Sequence, residues 1–135
     1  MNKLFCLITL VCGLTLISSC EKDEGLLPEI SFKTGAAYTS ADATLAGGSS
    51  VTIGITASKS EDKDVLKQFN ISKSVDGAAP VSVFDKSLTG SEGDAYEYDF
   101  TTTLENVSGQ TDEFTFTVTN RDGLTNQVSL TVTVQ

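Results

Sequence analysis

A chain of 135 residues with seven Phe, three Tyr, no Trp and an apolar share of 39% has material for one core and not two. Eighteen Asp and Glu against nine Lys and Arg leave a net charge of −9, which repels phosphate backbones and argues against a nucleic-acid partner. Histidine is absent, so triads built on His are excluded and the commonest general base and metal ligand are missing.

Lys3 precedes an apolar run from Leu4 to Ile17, followed by Ser18, Ser19 and Cys20. The run is shorter than the roughly 20 residues a membrane-spanning helix requires and matches the hydrophobic region of a secretory signal, about 7–15 residues behind a positive charge. Ile17-Ser18-Ser19-Cys20 resembles the lipobox of bacterial lipoproteins, in which a peptidase cuts just before a cysteine whose sulfur carries diacylglyceryl; the family favours Leu where Ile17 stands. The resemblance implies lipid attachment at Cys20. The other reading is a plain secretory leader cut elsewhere, with Cys20 a free thiol. Cys6 and Cys12 fall within the leader, so the mature chain would keep one cysteine with no disulfide partner of its own. A single exposed thiol on an exported protein is chemically vulnerable, and acylation removes that vulnerability.

Glu21-Lys22-Asp23-Glu24-Gly25 follows directly. This tract resembles the surface-export signal of Bacteroidota lipoproteins, where carboxylates soon after the lipidated cysteine accompany transfer to the outer leaflet; a solvated spacer is the alternative. The expected organisation is therefore a leader over 1–19, an acidic tether over 20–27 and a folded body over 28–135. Extended at roughly 3.3–3.6 Å per residue, the tether reaches about 30 Å and keeps the body close to a membrane but outside it.

From Pro28 onward the pattern is that of strands. Val51 to Ala57, Phe114 to Thr119 and Val128 to Val134 alternate apolar with small or polar residues, as strands buried on one face do. Tyr96 to Leu104 alternates with its even-numbered side apolar. Glu29 to Phe32, Leu66 to Val75 and Val81 to Phe84 are further candidates; the apolar residues Leu66, Phe69 and Ile71 do not share one parity, which predicts a bulge. No apolar stripe of helical period exceeds a turn or two. About seven strands spaced some dozen residues apart predict an all-β Greek-key sandwich, with a core of Ile53, Ile55, Phe69, Phe100, Phe114, Phe116, Leu130 and Val132.

Asn120-Arg121-Asp122-Gly123 separates the last two strands and offers hairpin loops of two, three or four residues. A three-residue loop, Arg121 to Gly123, sets Phe116 opposite Val128 and Phe114 opposite Leu130, so every apolar residue has an apolar partner. A two-residue loop would slip the register by one and turn an oily face to water. The spacing therefore predicts a type I turn with Gly123 in the left-handed region. The stretch "FTFTVTNRDGLTNQVSLTVTVQ" is similar to the last two strands of bacterial immunoglobulin-like domains, including the polycystic-kidney-disease and cadherin-like groups, and implies an immunoglobulin-like sandwich. The Trp and the paired cysteines of antibody domains are missing. With seven antiparallel strands, the first begins at the end bearing the Glu61 and Arg121 loops and the last finishes at the opposite end.

Several residue groups bear on function. Glu61, Asp62 and Asp64 share a loop that, in such a sandwich, meets the hairpin carrying Asp122, so four oxygen donors can converge on Ca²⁺; Lys59 and Lys63 interrupt the cluster, and a solvated loop is the preferred reading, with no metal or other cofactor assigned. Tyr96, Tyr98 and Phe100 alternate on one face as a core would, or as a sugar-stacking platform would. Tyr38 lies among small polar residues and is the better candidate for an exposed ring. Glu92, Asp94, Glu97 and Asp99 lack the spacing that marks an acid and its partner for glycoside hydrolysis. Asn70 and Asn106 head glycosylation sequons, read here as accidental. No catalytic residue is identified. The expectation is a non-catalytic interaction module, lipid-anchored in a bacterial cell envelope at the outer membrane, facing an unknown protein partner; the alternative is a glycan-binding accessory lipoprotein of a polysaccharide-uptake system.

Overall fold

The computed structural model describes residues 25–135, so the leader, Cys20 and most of the acidic tether lie outside the described residues. Eight strands follow in chain order: β1 (Glu29–Phe32), β2 (Ala43–Leu45), β3 (Ser50–Ser58), β4 (Leu66–Val75), β5 (Val81–Ser87), β6 (Ala95–Thr103), β7 (Thr111–Asn120) and β8 (Thr125–Val134). The only helical element among the described residues is one 3-10 turn, Gly90–Gly93. None of them forms a helix long and apolar enough to cross a membrane. The strands build two sheets, ordered β1-β3-β6 and β2-β8-β7-β4-β5. Their inner faces meet in a single core containing Val51, Ile53, Ile55, Leu66, Phe69, Ile71, Phe114, Phe116, Val118, Leu130, Val132 and Val134. Phe100 is half-buried and packs edge-on to Phe116, with ring centroids 6.2 Å apart.

The expected seven strands become eight because β2 was not legible. It is three residues long, too short to show an alternation, and exists through its parallel pairing with β8, Ala43 to Val132 and Leu45 to Val134. Asp42 starts it by accepting the Thr131 amide N–H at 2.8 Å. An even strand count removes the parity argument for the positions of the two ends, and the pairings give those positions directly. β1 runs antiparallel to β3, with Glu29 opposite Ser58, while β8 ends beside β2 at Val134. β1 and β2 are two segments running the same way, one on each sheet, so the body still enters beside the Glu61 and Arg121 loops and finishes at the other end.

The predicted bulge in β4 is present. Leu66 pairs with Asn120 and Gln68 with Thr119, leaving Lys67 as the extra residue. That insertion lets both Leu66 and Phe69 face inward despite their odd spacing. The last hairpin has the expected register: Phe114 faces Leu130, Phe116 faces Val128, and Gly123 has φ +82°. The chain is already docked before Pro28. Ser60 Oγ donates to the Leu27 carbonyl, and Asn126 Nδ2 donates to the Pro28 carbonyl at 2.9 Å.

Candidate functional site

One end of the sandwich collects residues 25–28, the β3–β4 loop, the 3-10 turn and the β7–β8 hairpin. The Asp64 amide N–H donates to the Glu61 carbonyl at 3.1 Å, closing the loop into a turn, and the Arg121 N–H donates to the Val65 carbonyl at 2.9 Å, stitching the loop to the hairpin. This stitching buries Asp64 to 1% exposure. Among the described residues no N–H or hydroxyl group donates to either of its carboxylate oxygens or to the buried Glu61 Oε2, so the one hydrogen bond open to Asp64 is from the Asp122 carboxyl when that group is protonated. Asp122 projects from the hairpin against Asp64. Hydrogen bonding to the Asp64 carboxyl, then loss of solvent, then repulsion between the two charges push its pKa above the ordinary carboxylate value, while Arg121 and Lys63 pull weakly the other way. Two of the four donors proposed from sequence therefore meet. Asp62 instead points to solvent and pairs loosely with Lys59 at 3.8 Å. No group of three or more metal-ligating side chains among the described residues forms a ready-made metal centre.

The other groups singled out in the sequence have structural roles. Tyr96 is 8% exposed, and Tyr96 and Tyr98 both pack on Phe69 with centroids 5.3 and 5.8 Å away. The rings of β6 therefore belong to the core, and the platform reading is set aside. Tyr38 is not a free ring: it is half-buried, its hydroxyl donates to Asp99 Oδ2 at 3.1 Å, and Lys33 Nζ stands 5.8 Å from its centroid. Residues 33–39 remain hydrogen-bonded to β3, Lys33 N–H to the Gly54 carbonyl and Thr39 N–H to the Thr52 carbonyl, both at 2.8 Å. That path lays Tyr38 across Gly54, where a Cβ would come within 2.7 Å of Tyr38 Cε1.

Each carboxylate considered for hydrolysis is committed to a lysine. Glu92 pairs with Lys86 at 2.9 Å, Asp94 with Lys59 at 2.7 Å, and Glu97 and Asp99 with Lys33 at 3.1 and 2.9 Å. Lys86, helped by the Thr89 amide, lowers the Glu92 pKa, and Lys33 lowers that of Asp99. Those directions are opposite to what a general acid requires. Asn70 is tied to Ser82 and Asp85 at 2.7 and 3.2 Å, and Asn106 packs over Gly47. An open groove of about 470 Å³ between β1 and β6 is lined by Glu29, Ser31, Thr56, Ser58, Glu97 and Asn126 among others, with no aromatic ring.

Sequence reasoning missed the pairing of Lys73 with Asp112. Asp112 is fully buried on the inward side of β7, its Oδ2 lies 3.0 Å from Lys73 Nζ, and its Oδ1 accepts Gln110 Nε2 at 2.9 Å. The available signal was a carboxylate in phase with Phe114, Phe116 and Val118.

No protein-family model matches the chain, and no curated protein sequence is significantly similar to it. Among solved structures, the sporulation control protein Spo0M from Bacillus subtilis is similar over 81% of this chain and 49% of its own, at 12% identity and a TM-score of 0.48. A β-glucosidase from Listeria innocua is similar over 80% of this chain and 16% of its own, at 16% identity and a TM-score of 0.43. The chain thus spans about half the length of the first and a small fraction of the second, and neither likeness carries a functional argument.

Proposed function

We propose that this chain is a lipid-anchored lipoprotein of a bacterial cell envelope, of the Bacteroidota type and at the outer membrane, presenting a non-catalytic immunoglobulin-like module to a protein partner. The observation that carries the reading is the position of Cys20: it follows a leader-length apolar run at Ile17-Ser18-Ser19, it is the one cysteine that cleavage there would leave, and it precedes a short acidic tract before the body. The strand order supports the immunoglobulin-like assignment. Sheets of β1-β3-β6 and β2-β8-β7-β4-β5 are compatible with such a sandwich in which the first strand is split between the layers.

The tether then orients the body. Cys20 to Gly25 reaches at most about 18 Å, so the acidic end, with Leu26 and Leu27 exposed on it, faces the bilayer. The β5 edge and the far end at Gln135 are left for partners. The glycan-binding alternative has lost the β6 rings that motivated it, since they pack inward.

Intact mass of the mature protein tests the reading. A start at Cys20 with a diacylglyceryl adduct supports it; an unmodified thiol or a start well beyond Cys20 defeats it. Proximity labelling on intact cells, wild type against Cys20→Ala, then identifies the neighbours, and their loss in the variant is expected.

A further inference from the structure

Where the chain enters the sandwich, its apolar side chains are distributed the wrong way round for a folded body. Pro28 is buried, whereas Leu26 and Leu27, larger and more apolar, are 57% and 54% exposed. The segment is not loose. Three consecutive carbonyls are each held by a side chain from a different element: Asn120 Nδ2 of β7 donates to that of Leu26 at 3.5 Å, Ser60 Oγ of the β3–β4 loop to that of Leu27, and Asn126 Nδ2 of β8 to that of Pro28 at 2.9 Å. The backbone is therefore fixed while both leucine side chains face outward. Leu124 extends the apolar surface: it is half-buried, and its Cδ1 lies 3.4 Å from where a Cβ on Gly25 would stand. One exposed leucine is ordinary on any surface, but an adjacent pair pinned beside a third makes a small apolar ridge.

We infer that Leu26, Leu27 and Leu124 form a membrane-docking ridge that enters the interface of a zwitterionic bilayer and fixes the tilt of the body upon it. The inference rests on the lipoprotein reading of Cys20 and says what the anchored body does at the surface. Cys20 to Gly25 reaches at most about 18 Å, while β7 and β8, ten residues each, run about 33 Å. A lipid at Cys20 therefore brings this end against the bilayer and leaves the other out of reach. A diacylglyceryl group already carries two acyl chains, enough for stable anchoring. The leucines are thus not needed for affinity, and what they decide is orientation. Exposed Asp62 and Asp122 stand in the loops beside the ridge. Their charge disfavours anionic headgroups and holds the insertion shallow, within the outermost ~5–10 Å that interfacial side chains reach.

The mature, lipid-bearing full chain in phosphatidylcholine vesicles tests it, and because the sequence has no Trp a single introduced one reports its own surroundings. Leu27→Trp places the reporter on the ridge. Val107→Trp places it at the far end, since Val107 is 50% exposed in the β6–β7 loop that bonds to Val134. The indole's own preference for interfaces is common to both variants. Expected for Leu27→Trp is a blue-shifted emission, most of it lost when the lipid is brominated near the glycerol end of its acyl chains, with Val107→Trp unaffected. Adding Leu26→Ser to Leu27→Trp should weaken that quenching, and so should phosphatidylglycerol in place of part of the lipid. Equal quenching of the two reporters overturns the inference, as does quenching that rises with phosphatidylglycerol, which would assign the contact to the cations of that end. A blue shift without quenching by the brominated lipid overturns it as well: growth with protein density would point to a second copy, and dependence on added envelope extract to a protein partner. Intact mass of the same preparation separates the two claims. A lipid-bearing chain that fails the quenching test defeats the ridge alone; a chain without lipid at Cys20 defeats the lipoprotein reading and the ridge together.

Discussion

Asn120 and Leu124 close the last hairpin on each other: the Asn120 N–H donates to the Leu124 carbonyl at 3.0 Å, and the Leu124 N–H donates to Asn120 Oδ1 at 2.9 Å. Between them the Gly123 N–H reaches back to the Asn120 carbonyl at 3.1 Å, and Gly123 holds φ +82°, which turns the chain so that Leu124 can pair with Asn120. A β-branched residue resists that conformation. Gly123→Val is expected to lower stability by about 1–2 kcal/mol or more, read as a lower urea midpoint with an unchanged slope.

The Asn120 side chain is buried and serves as the acceptor for two amides, those of Asp122 and Leu124. Asn120→Ala removes that acceptor and leaves the Leu124 N–H unsatisfied in a partly buried position. The expected loss is about 1–3 kcal/mol, and hydrogen exchange should accelerate first at Asp122 and Leu124.

Lys73 and Asp112 form an ion pair in which the carboxylate is fully buried and the lysine side chain is 20% accessible, with its ammonium 5.7 Å from the Phe114 ring centroid. Lys73→Met strands the charge of Asp112 and is expected to cost about 3 kcal/mol. The double variant Lys73→Met/Asp112→Asn should recover most of that loss, because the amide retains a partner in Gln110 and carries no charge. Denaturant midpoints of the two singles and the double provide the test; a double no better than Lys73→Met would refute the account.

Gly54 lies beneath Tyr38, Lys33 and Asp99, with the first contact of an added Cβ at 2.7, 2.8 and 2.9 Å from their atoms. Alanine is otherwise at least as acceptable as glycine in a strand, so any loss reports steric displacement. Gly54→Ala is expected to cost about 1–3 kcal/mol and to cost less in a Tyr38→Ala background, a coupling that a double-mutant cycle measures.

Acid titration should show two opposing slopes. Asp122 has a folded pKa raised by Asp64, so its contribution is fully present below its unfolded value of about 3.9 and is lost as pH rises through the folded value. Asp99 and Glu92 have folded pKa values lowered by Lys33 and Lys86, so their contributions are present above about 4 and are lost as pH falls through the folded values. Stability should therefore pass through a maximum in mildly acidic solution. Asp122→Asn removes the decline on the alkaline side and leaves the acid side intact. Denaturation midpoints measured across that range decide the matter.

Much of the sandwich was legible because a half-buried strand prints its two faces on alternate residues. β7 and β8 showed this most clearly, and their shared hairpin could be placed in register by requiring Phe114 and Phe116 to meet Leu130 and Val128. β4 was legible only as an irregularity, since alternation alone does not say where the extra residue sits. β2 left no pattern, because three residues cannot establish a period and its only reason to be extended is the free edge of β8. Tyr38 misled for a related reason: small polar neighbours in sequence say nothing of Gly54 and Asp99, which reach it only through the path of residues 33–39 along β3.

The acidic end divides in the same way. The clustering of Glu61, Asp62 and Asp64 and the lone Asp122 were visible as residue types, and strand topology alone was enough to bring their loops to one end. Which of them is buried was decided by the tertiary structure: the Arg121–Val65 hydrogen bond draws Asp64 inward against Asp122, while Asp62 stays in water. Periodicity, turn chemistry and charge are local properties and can be read along the chain. Burial and the pairing of distant carboxylates are properties of contact between segments, and they come into being only when the two sheets close on each other.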